Sequence, residues 1–281
     1  MPELPEVETI AQRLNQVLPG KRIVKVSIPA ARSFVGDATT LPGLQILTIT
    51  RRAKILQFSL DNGSFLLIHL KMTGQLIFTD GTTRVGGGHP TDDWVRSLPS
   101  AHTRVQFTFE DGSHLFFNDQ RLFGWIKLVD ESGLTTEFKN YAYDVIDERI
   151  TPDIFFAKTQ RTSRPIKVVV MDNTIMSGVG NIYACDALNV AQIHPSRPAH
   201  SLTHDEASKV LAAAKQVIAL GIQLGGATIE HFRHVDGFSG NYQDEVRVYG
   251  REGAHCRNCG GSIQKYKLAG RGTYWCPDCQ R

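Results

Sequence analysis

The chain has 281 residues, of which 41% are hydrophobic and 21% are charged, with 25 Gly, 12 Pro and 5 Cys. These proportions exclude collagen-like and largely disordered chains. No stretch reaches the roughly 18 uninterrupted apolar residues of a transmembrane helix, and the N-terminus lacks the basic and apolar regions of a signal peptide. We therefore expect a cytoplasmic protein with no membrane partner, built from two domains and a small appendage. Its cysteines should be thiols or metal ligands rather than a disulfide framework.

The formal net charge of +3 is unevenly distributed. Residues 246–281 contain seven Lys or Arg and two acidic residues, so this tail is +5 and residues 1–245 sum to −2. A second basic run, which contains no acidic residue, comprises Lys158, Arg161, Arg164 and Lys167. Clustered cations beside a nearly neutral body are typical of a nucleic-acid-binding face, although charge alone is equally compatible with a solvated basic surface.

The N-terminal half is predicted to be one helix followed by strands. Apolar residues at three- and four-residue spacing predict an amphipathic helix over residues 5–18. From about residue 22 to 130 the pattern changes to short apolar runs, with tight turns at residues 61–63 and 111–112. These features favour an antiparallel β-sandwich. The polar, Gly-rich residues 81–100 are predicted to form a loop.

The C-terminal half is predicted to be mainly helical. Pro152 suits the first turn of a helix that continues to about Lys158. Thr203 and Glu206 form a capping box ahead of a longer helix with apolar periodicity. Residues 236–244, rich in Gly, Asp and Asn, are predicted to form an exposed loop.

Four of the five cysteines have the spacing of a zinc site. The two Cys-x-x-Cys pairs, separated by sixteen residues, are Cys256 with Cys259 and Cys276 with Cys279. The spacing fits four thiolates on two turns of a β-hairpin, so we expect one structural Zn²⁺ that supplies folding energy to a unit of about 35 residues. Free thiols or a redox pair are the alternatives. Arg271 lies between the pairs, where the hairpin tip can reach a DNA groove, and Cys185 is expected to be a small buried hydrophobe.

The N-terminus offers a candidate nucleophile. Met1 precedes Pro2, a small residue that permits removal of the initiator methionine. The freed secondary amine, with a pKa of about 8, can attack an electrophilic sugar carbon and form an iminium, and Glu3 can donate or accept a proton there. The alternative is an ordinary helix start, in which Glu3, Glu6 and Glu8 complement the helix macrodipole.

Short motifs with a recognisable order run along the whole chain. They are PELPEVET (2–9), RRAK (51–54), HLKMTG (69–74), MDN (171–173), GVGNIYA (178–184), IHP (193–195), VYGR (248–251) and GRGT (270–273). Together they resemble the formamidopyrimidine-DNA glycosylase family. One such motif can be accidental, but the full series in order is highly specific.

The resemblance implies an α+β multidomain fold. It places an N-terminal antiparallel β-sandwich with an N-terminal helix at residues 1–132, a helical helix–two-turn–helix domain at 133–245 and a zinc-finger β-hairpin at 246–281. The implied activity is excision of oxidised purines, such as 8-oxoguanine and formamidopyrimidines, from double-stranded DNA, followed by β,δ-elimination at the abasic site. The implied partner is damaged duplex DNA, and the implied state is a monomer associated with a bacterial nucleoid.

The resemblance also implies roles for individual residues. Pro2 is expected to be the nucleophile, Glu3 to protonate the sugar ring oxygen, and Lys54 to lie near the lesion and its phosphate. Residues expected to grip the DNA backbone are His69, His102, Lys167, Asn181, Tyr249 and Arg271, of which Arg271 is also assigned to the catalytic set.

A base inside the stack cannot be reached, so it must be flipped out and something must fill the gap. The resemblance assigns Met72 and Phe123 as side chains that wedge between bases and Arg121 as a contact to the orphaned partner base. From the residues alone, a core Met and Phe and a surface Arg would be the better interpretation. Residues 225–244 correspond to a loop that covers the flipped base in relatives.

Two positions depart from the family pattern. The family usually has Asp-x-Arg-Arg-Phe-Gly, whereas residues 119–124 carry Leu122 in place of the second Arg, which removes a charge beside the wedge. The family often has Lys-His-x-His, whereas residues 101–104 end in Arg104.

Two other functions stay open on the sequence. An endonuclease VIII-type enzyme shares the scaffold and prefers oxidised pyrimidines, but that branch typically has Gly where this chain has Leu4. A non-catalytic zinc-ribbon DNA-binding protein would use only the helical and zinc parts, and the intact Pro2, Glu3 and Lys54 argue against it. Retention of Met1 would block the nucleophile and favour the binding protein.

Overall fold

The computed structural model describes residues 1–89, 98–227 and 240–281, together with the backbone of 233–234. Contacts divide the chain into two units, one of Met1–Lys139 with Leu224–Asn241 and one of Asn140–Gln223 with Tyr242–Arg281. Among the helices of the described residues, none is long and apolar enough to cross a membrane.

The first unit begins with helix α1 (Leu4–Leu14). Its apolar stripe is fully buried, with Leu4, Ile10 and Leu14 each at 0% exposure. The helix ends one turn before the predicted limit, with Asn15 as its C-cap. The Asn15 side chain accepts a hydrogen bond from the backbone N–H of Ile49 (2.7 Å), which ties the end of the helix to strand β3 (Ile46–Arg52). The helix predicted over residues 5–18 is therefore confirmed except for its last turn.

Two sheets share a single buried core with α1. One sheet consists, in spatial order, of β1 (Ile23–Ser27), β8 (Thr103–Phe109), β9 (His114–Asp119), β6 (Gly74–Thr79), β7 (Arg84–Gly88) and β11 (Arg233–His234). The other consists of β2 (Phe34–Val35), β10 (Trp125–Val129), β5 (Phe65–His69), β4 (Ile55–Leu60) and β3 (Ile46–Arg52). Hairpins β4–β5 and β8–β9 turn at the predicted residues. The predicted β-sandwich is confirmed, with the difference that the short β2 pairs with β10 in parallel.

The loop predicted over residues 81–100 is wrong in its first half. Strand β7 pairs with β6 in antiparallel register, and its glycines are needed because the neighbouring strand approaches closely. Gly86 and Gly88 have φ values of +138° and +144°, and a Cβ on either would overlap the backbone of β6. Residues 90–97 lie outside the described part of the chain.

The remaining elements are mostly helical. Helix α2 (Glu131–Phe138) closes the first unit, and the second unit contains α3 (Pro152–Thr159), α4 (Ile166–Val170), α5 (Asn181–Val190), α6 (His204–Gln223), α7 (Tyr242–Glu245) and the hairpin of β12 (Gln264–Leu268) and β13 (Arg271–Trp275). The predicted start of α3 at Pro152 is confirmed. So is the capping box of α6, in which Thr203 N donates to Glu206 Oε2 (2.9 Å) and Glu206 N donates to Thr203 Oγ1 (3.2 Å).

The C-terminal hairpin is packed on α5 rather than standing alone. Buried Cys185 of α5 shares a small core with Val248, Ile263 and two of the zinc-type cysteines. The loop predicted over residues 236–244 is wrong at its end, because Tyr242 begins α7 and is only 1% exposed. Its hydroxyl donates to the buried Asp186 (3.0 Å), which anchors the start of α7. Residues 235–239 lie outside the described part of the chain.

Candidate nucleic-acid interface

The N-terminus of α1 holds Pro2 and Glu3 in a buried position. Pro2 is buried and Glu3 is 4% exposed. Glu3 is the N-cap of α1, and its side chain accepts from the backbone of Glu6 while its own N–H donates to Glu6 Oε2 (2.8 Å). This reciprocal capping box fixes the chain at the point where Pro2 enters the helix.

Glu6 also reaches a second segment of the first unit. Its Oε1 accepts a hydrogen bond from the backbone N–H of Ala227 (2.7 Å). Gly226 passes so close that a Cβ there would lie 2.9 Å from Glu6 Cγ. The start of the segment expected to cover a flipped base is thus attached to the helix that carries Glu3. Residues 228–232, which continue that segment, lie outside the described part of the chain.

Lys54 lies in the tight turn between β3 and β4 and is 8% exposed. Arg51 fixes this turn to α1. Its Nε donates to Glu8 Oε2 (2.8 Å), and its Nη1 donates to the carbonyl of Ala53 (2.8 Å). Ala53 has a φ of +55°, a left-handed conformation that a tight two-residue turn requires. The sequence singled out Lys54 through resemblance, but not the arginine that positions its turn.

His69 ends β5 and is a neutral side chain at physiological pH. Burial, together with the charges of Lys71 and Lys54, lowers the pKa of His69 to about 3. Its Nδ1 accepts a hydrogen bond from the backbone N–H of Lys71 (3.0 Å), which leaves the ring proton on Nε2. His69 can therefore act toward DNA as an uncharged hydrogen-bond donor.

Two adjacent turns carry the residues assigned to fill the void. Met72 (40% exposed) follows β5, and Phe123 (49% exposed) lies in residues 119–124, which we call the wedge turn. Thr73 joins the two turns, because its hydroxyl donates to the Asp119 carboxylate and accepts from the backbone N–H of Arg121 (3.1 Å). The Arg121 guanidinium lies 4.7 Å from the centre of the Phe123 ring. Met72, Arg121 and Phe123, the wedge residues, thus share one platform, and the core Met and Phe favoured by residue type alone are wrong.

Both departures from the family pattern lie on or beside this platform. Leu122 adopts a φ of +56°, a left-handed conformation inside the wedge turn. Arg104 donates from Nε to the backbone carbonyl of Asp119 (2.7 Å) and from Nη1 to that of Ala101 (3.2 Å). The half-buried His102 lies in the turn that Arg104 spans.

In the second unit, the candidate phosphate-binding residues gather at the start of β13. Lys167 is 2% exposed, and its ammonium donates to Thr273 Oγ1 (2.7 Å) and the Gly272 carbonyl (3.3 Å). Asn181, the first residue of α5, donates to the same carbonyl (3.1 Å). The hairpin residue Arg271 is exposed. The structure therefore brings Lys167, Asn181 and Arg271 to one place within this unit.

Tyr249 is positioned at the same hairpin by a buried carboxylate that the sequence did not reveal. Its ring centre lies 5.1 Å from that of Tyr274 on β13. Asp186 of α5 is 0% exposed and accepts from the backbone N–H groups of Arg247, Val248 and Tyr249 at 3.0 to 3.2 Å. Complete burial raises the pKa of the Asp186 carboxyl, and the backbone donors counter that rise.

A cleft of about 240 Å³ borders this group, lined by three cations, Arg164, Lys167 and Arg271, and by the acidic Asp172. Arg164 forms an ion pair with Asp172 (2.7 Å). Lys158, from the same basic run, instead donates to two backbone carbonyls, those of Thr174 and Ile175, at 3.0 Å. The basic run thus contains two cations that line the cleft, Arg164 and Lys167, and one that stabilises the fold, Lys158.

The four cysteines form a metal site. Their sulfur atoms all lie within 4.8 Å of one another, and those of Cys256 and Cys279 are 3.8 Å apart. A tetrahedral zinc with Zn–S bonds of about 2.3 Å requires sulfur atoms about 3.8 Å apart, so the set fits one structural zinc with no open position. Asn258 N donates to Cys256 Sγ (3.4 Å), as expected around a thiolate ligand.

Comparison with known proteins places these features in a family. Three family models match: the formamidopyrimidine-DNA glycosylase N-terminal domain over residues 1–126, the H2TH domain of the same enzyme over 141–233, and a zinc finger found in FPG and IleRS over 255–281. A formamidopyrimidine-DNA glycosylase of Exiguobacterium sp. is 37% identical over 289 residues, with 100% of both chains covered. The chain belongs to the formamidopyrimidine-DNA glycosylase family.

Solved structures of formamidopyrimidine-DNA glycosylases share the whole fold. The MutM (Fpg) protein of Thermus thermophilus is similar with a TM-score of 0.86 and 35% identity, over 99% of this chain and 98% of that one. The Lactococcus lactis Fpg, solved in complex with abasic-site DNA, gives a TM-score of 0.87 at 28% identity, over 100% of both chains. The same L. lactis protein has been solved with Fapy-dG DNA, at a TM-score of 0.86 and 29% identity, over 99% of this chain and 100% of that one. The expected multidomain α+β fold is confirmed.

Proposed function

We propose that this protein is a bifunctional DNA glycosylase and abasic-site lyase of base excision repair that removes oxidised purines from duplex DNA. The observation that carries the proposal is the burial of Glu3 at 4% exposure beside Pro2, at a helix start held by Glu6. An amine and a carboxyl group, adjacent and shielded from bulk water, suit Schiff-base chemistry at a sugar carbon. Full-length similarity to formamidopyrimidine-DNA glycosylases supports an oxidised purine as the substrate.

In the proposed reaction, removal of Met1 frees the amine of Pro2, which attacks C1′ of the damaged nucleotide. The C1′–base bond breaks and the base leaves, taking up a proton. The nitrogen then loses its proton, Glu3 donates a proton to O4′, the C1′–O4′ bond opens, and the nitrogen lone pair forms an iminium with C1′. Loss of a C2′ proton expels the 3′ phosphate, a second elimination expels the 5′ phosphate, and water releases Pro2.

The same proposal assigns DNA contacts to both units. In the first, Lys54 approaches the lesion phosphate, while His69, as an uncharged donor, and His102 contact the backbone. In the second, the cluster of Lys167, Asn181, Tyr249 and Arg271 binds phosphates. Asn181 supports this role because it is the first residue of α5, where helix N–H groups and the dipole favour an anion. Arg271 is proposed to act near the reacting sugar as well.

The wedge residues are proposed to fill the gap left by the extruded nucleotide. Met72 and Phe123 are 40% and 49% exposed on two turns that Thr73 joins, so they can contact the same ligand. Insertion of Met72 and Phe123 between bases, with Arg121 facing the orphaned base, accounts for that exposure.

The three segments of the chain are proposed to divide this work. Residues 1–132 supply the chemistry and the wedge, residues 133–245 bind the backbone through the helix–two-turn–helix, and residues 246–281 add the zinc finger. Because duplex DNA is the ligand, the protein is proposed to act in the cytoplasm, associated with the nucleoid, and as a monomer.

Strand cleavage on three duplexes tests the proposal. They carry 8-oxoguanine opposite C, an oxidised pyrimidine, or no lesion, and the protein is first shown by mass spectrometry to lack Met1. We expect preferential cleavage at 8-oxoguanine that leaves phosphates on both ends, strong loss in Pro2→Gly, and no loss in the exposed control Pro19→Gly. Preference for the pyrimidine would place the protein with endonuclease VIII-type enzymes, and no cleavage of any duplex would leave a DNA-binding protein.

A further inference from the structure

We propose that Arg104 is a positioning residue for base extrusion, because its hydrogen bond to the carbonyl of Asp119 holds the start of the wedge turn in place. The inference rests on the proposed function and deepens it, since it concerns how the wedge is presented to DNA. Arg104 differs from the family pattern at its position, and its partners are backbone atoms.

The hydrogen bonds of Arg104 connect two turns that lead into the sheet. The half-buried guanidinium donates to the carbonyl of Asp119, the last residue of β9, and to the carbonyl of Ala101. The backbone N–H of Asp119 also donates to the carbonyl of His102 (2.9 Å). Both backbone groups of Asp119 are thereby fixed to residues 101–104.

Asp119 passes this constraint to the wedge turn. Its carboxylate is 0% exposed and accepts from Thr73 Oγ1, from the backbone N–H of Arg121 (3.2 Å) and from that of Gly124 (2.6 Å). The main chain of Asp119 therefore faces Arg104, whereas its side chain organises both ends of the turn. A shift of Asp119 would move Arg121 and Phe123 with it.

The wedge turn contains a strained backbone conformation that needs support. Leu122 is held at a φ of +56°, which L side chains avoid, so the surrounding hydrogen bonds must hold this conformation. The turn has little room to rearrange, because a Cβ at Gly124 would already lie 2.7 Å from the Phe117 ring. Loss of the Arg104 hydrogen bonds would leave the Asp119 carbonyl less well bonded and the strained turn free to relax away from the geometry that presents Phe123.

The test compares Arg104→Met, which keeps length but no donor, with Arg104→Lys, which keeps one donor and the charge. Arg22→Met is the matched control, because Arg22 also donates to a backbone carbonyl in this unit, that of Gly43, but lies beside the other end of β8. Single-turnover rates are measured on an 8-oxoguanine duplex and on a duplex with a preformed abasic site. A 2-aminopurine next to the lesion reports unstacking.

We expect Arg104→Met to lower the rate of excision and the rate of rise of 2-aminopurine fluorescence about tenfold each. A loss of this size corresponds to displacement of Phe123 by a fraction of an ångström. Cleavage of the preformed abasic site, which needs no base extrusion, should change by less than about twofold. Arg104→Lys should recover part of the loss, and Arg22→Met should match the wild type.

An active wild type supports the proposed function. Three results for the variants would then contradict the role of Arg104. Equal rates for wild type and Arg104→Met would show that the wedge turn needs no support. Equal losses on both duplexes would indicate a general role in folding. A raised KM on both duplexes, with a salt dependence weaker by about one counterion, would show a direct phosphate contact instead. Inactivity of the wild type would contradict the proposed function itself.

Discussion

His69 leads to a quantitative prediction for the pH dependence of stability. The imidazole is 8% exposed and accepts the Lys71 N–H at 3.0 Å through Nδ1. Burial lowers the pKa of His69 from 6.5 to about 3, and the charges of Lys71 and Lys54 contribute to a lesser extent. Protonation is therefore easy in the unfolded chain and costly in the folded one.

The sign and size of the pH effect on stability follow from the difference between the pKa values of His69 in the folded and unfolded chain. Because the folded-state pKa is lowered, the stabilisation by the neutral ring is complete above pH 6.5 and is lost as the pH falls toward about 3. Within this window each pH unit changes the free energy of unfolding by about 1.4 kcal/mol. Acidification to about pH 5 should therefore cost about 2 kcal/mol through this residue alone.

Urea unfolding, followed by circular dichroism at about pH 7 and about pH 5, measures this contribution. His69→Asn supplies an oxygen near the position of Nδ1 but does not titrate, whereas His200→Asn changes an exposed histidine. Between the two pH values, the wild type and His200→Asn should lose about 2 kcal/mol more than His69→Asn. The same pH dependence in all three proteins would show that His69 contributes nothing to the acid sensitivity of the fold.

Three further perturbations probe other parts of the structure. Gly226→Ala should destabilise more than Gly63→Ala, because both positions have φ near +80° but only the first would place a Cβ 2.9 Å from Glu6; equal shifts in melting temperature would contradict this. Asp186→Ala should cost about 3 kcal/mol or more, since it leaves four donors without their buried acceptor. Asp153→Ala, at an 86% exposed side chain, should cost little in the same urea titration. Chelation should remove one Zn²⁺ per chain and weaken DNA binding, and unchanged binding by metal-free protein would show that the hairpin needs no metal.

Features set by neighbouring residues could be predicted from the sequence. The capping box of Thr203 and Glu206 formed because both partners lie within one helical turn. The two cysteine pairs assembled because the hairpin brings the two turns together. Cys185 was expected to be buried, and burial also raises the pKa of its thiol to about 11, so that it is a poor nucleophile.

Features that depend on distant partners could not be predicted. The glycines of β7 look like a flexible loop until the closely packed β6 is known. Asp186 is unremarkable in an apolar helix, because its donors lie about sixty residues further along the chain. The support of the wedge turn by Arg104 and Asp119 combines residues from separate turns. The sequence therefore showed Arg104 only as a departure from the family pattern.

Pro2 is proposed to be the nucleophile, and borohydride reduction of its iminium with C1′ would trap it on DNA. A duplex with 8-oxoguanine opposite C is incubated with protein that lacks Met1, reduced, and digested for mass spectrometry. We expect a covalent DNA adduct on the peptide that begins at Pro2, and none on intact duplex. An adduct on a lysine such as Lys54, or no adduct at all, would contradict it.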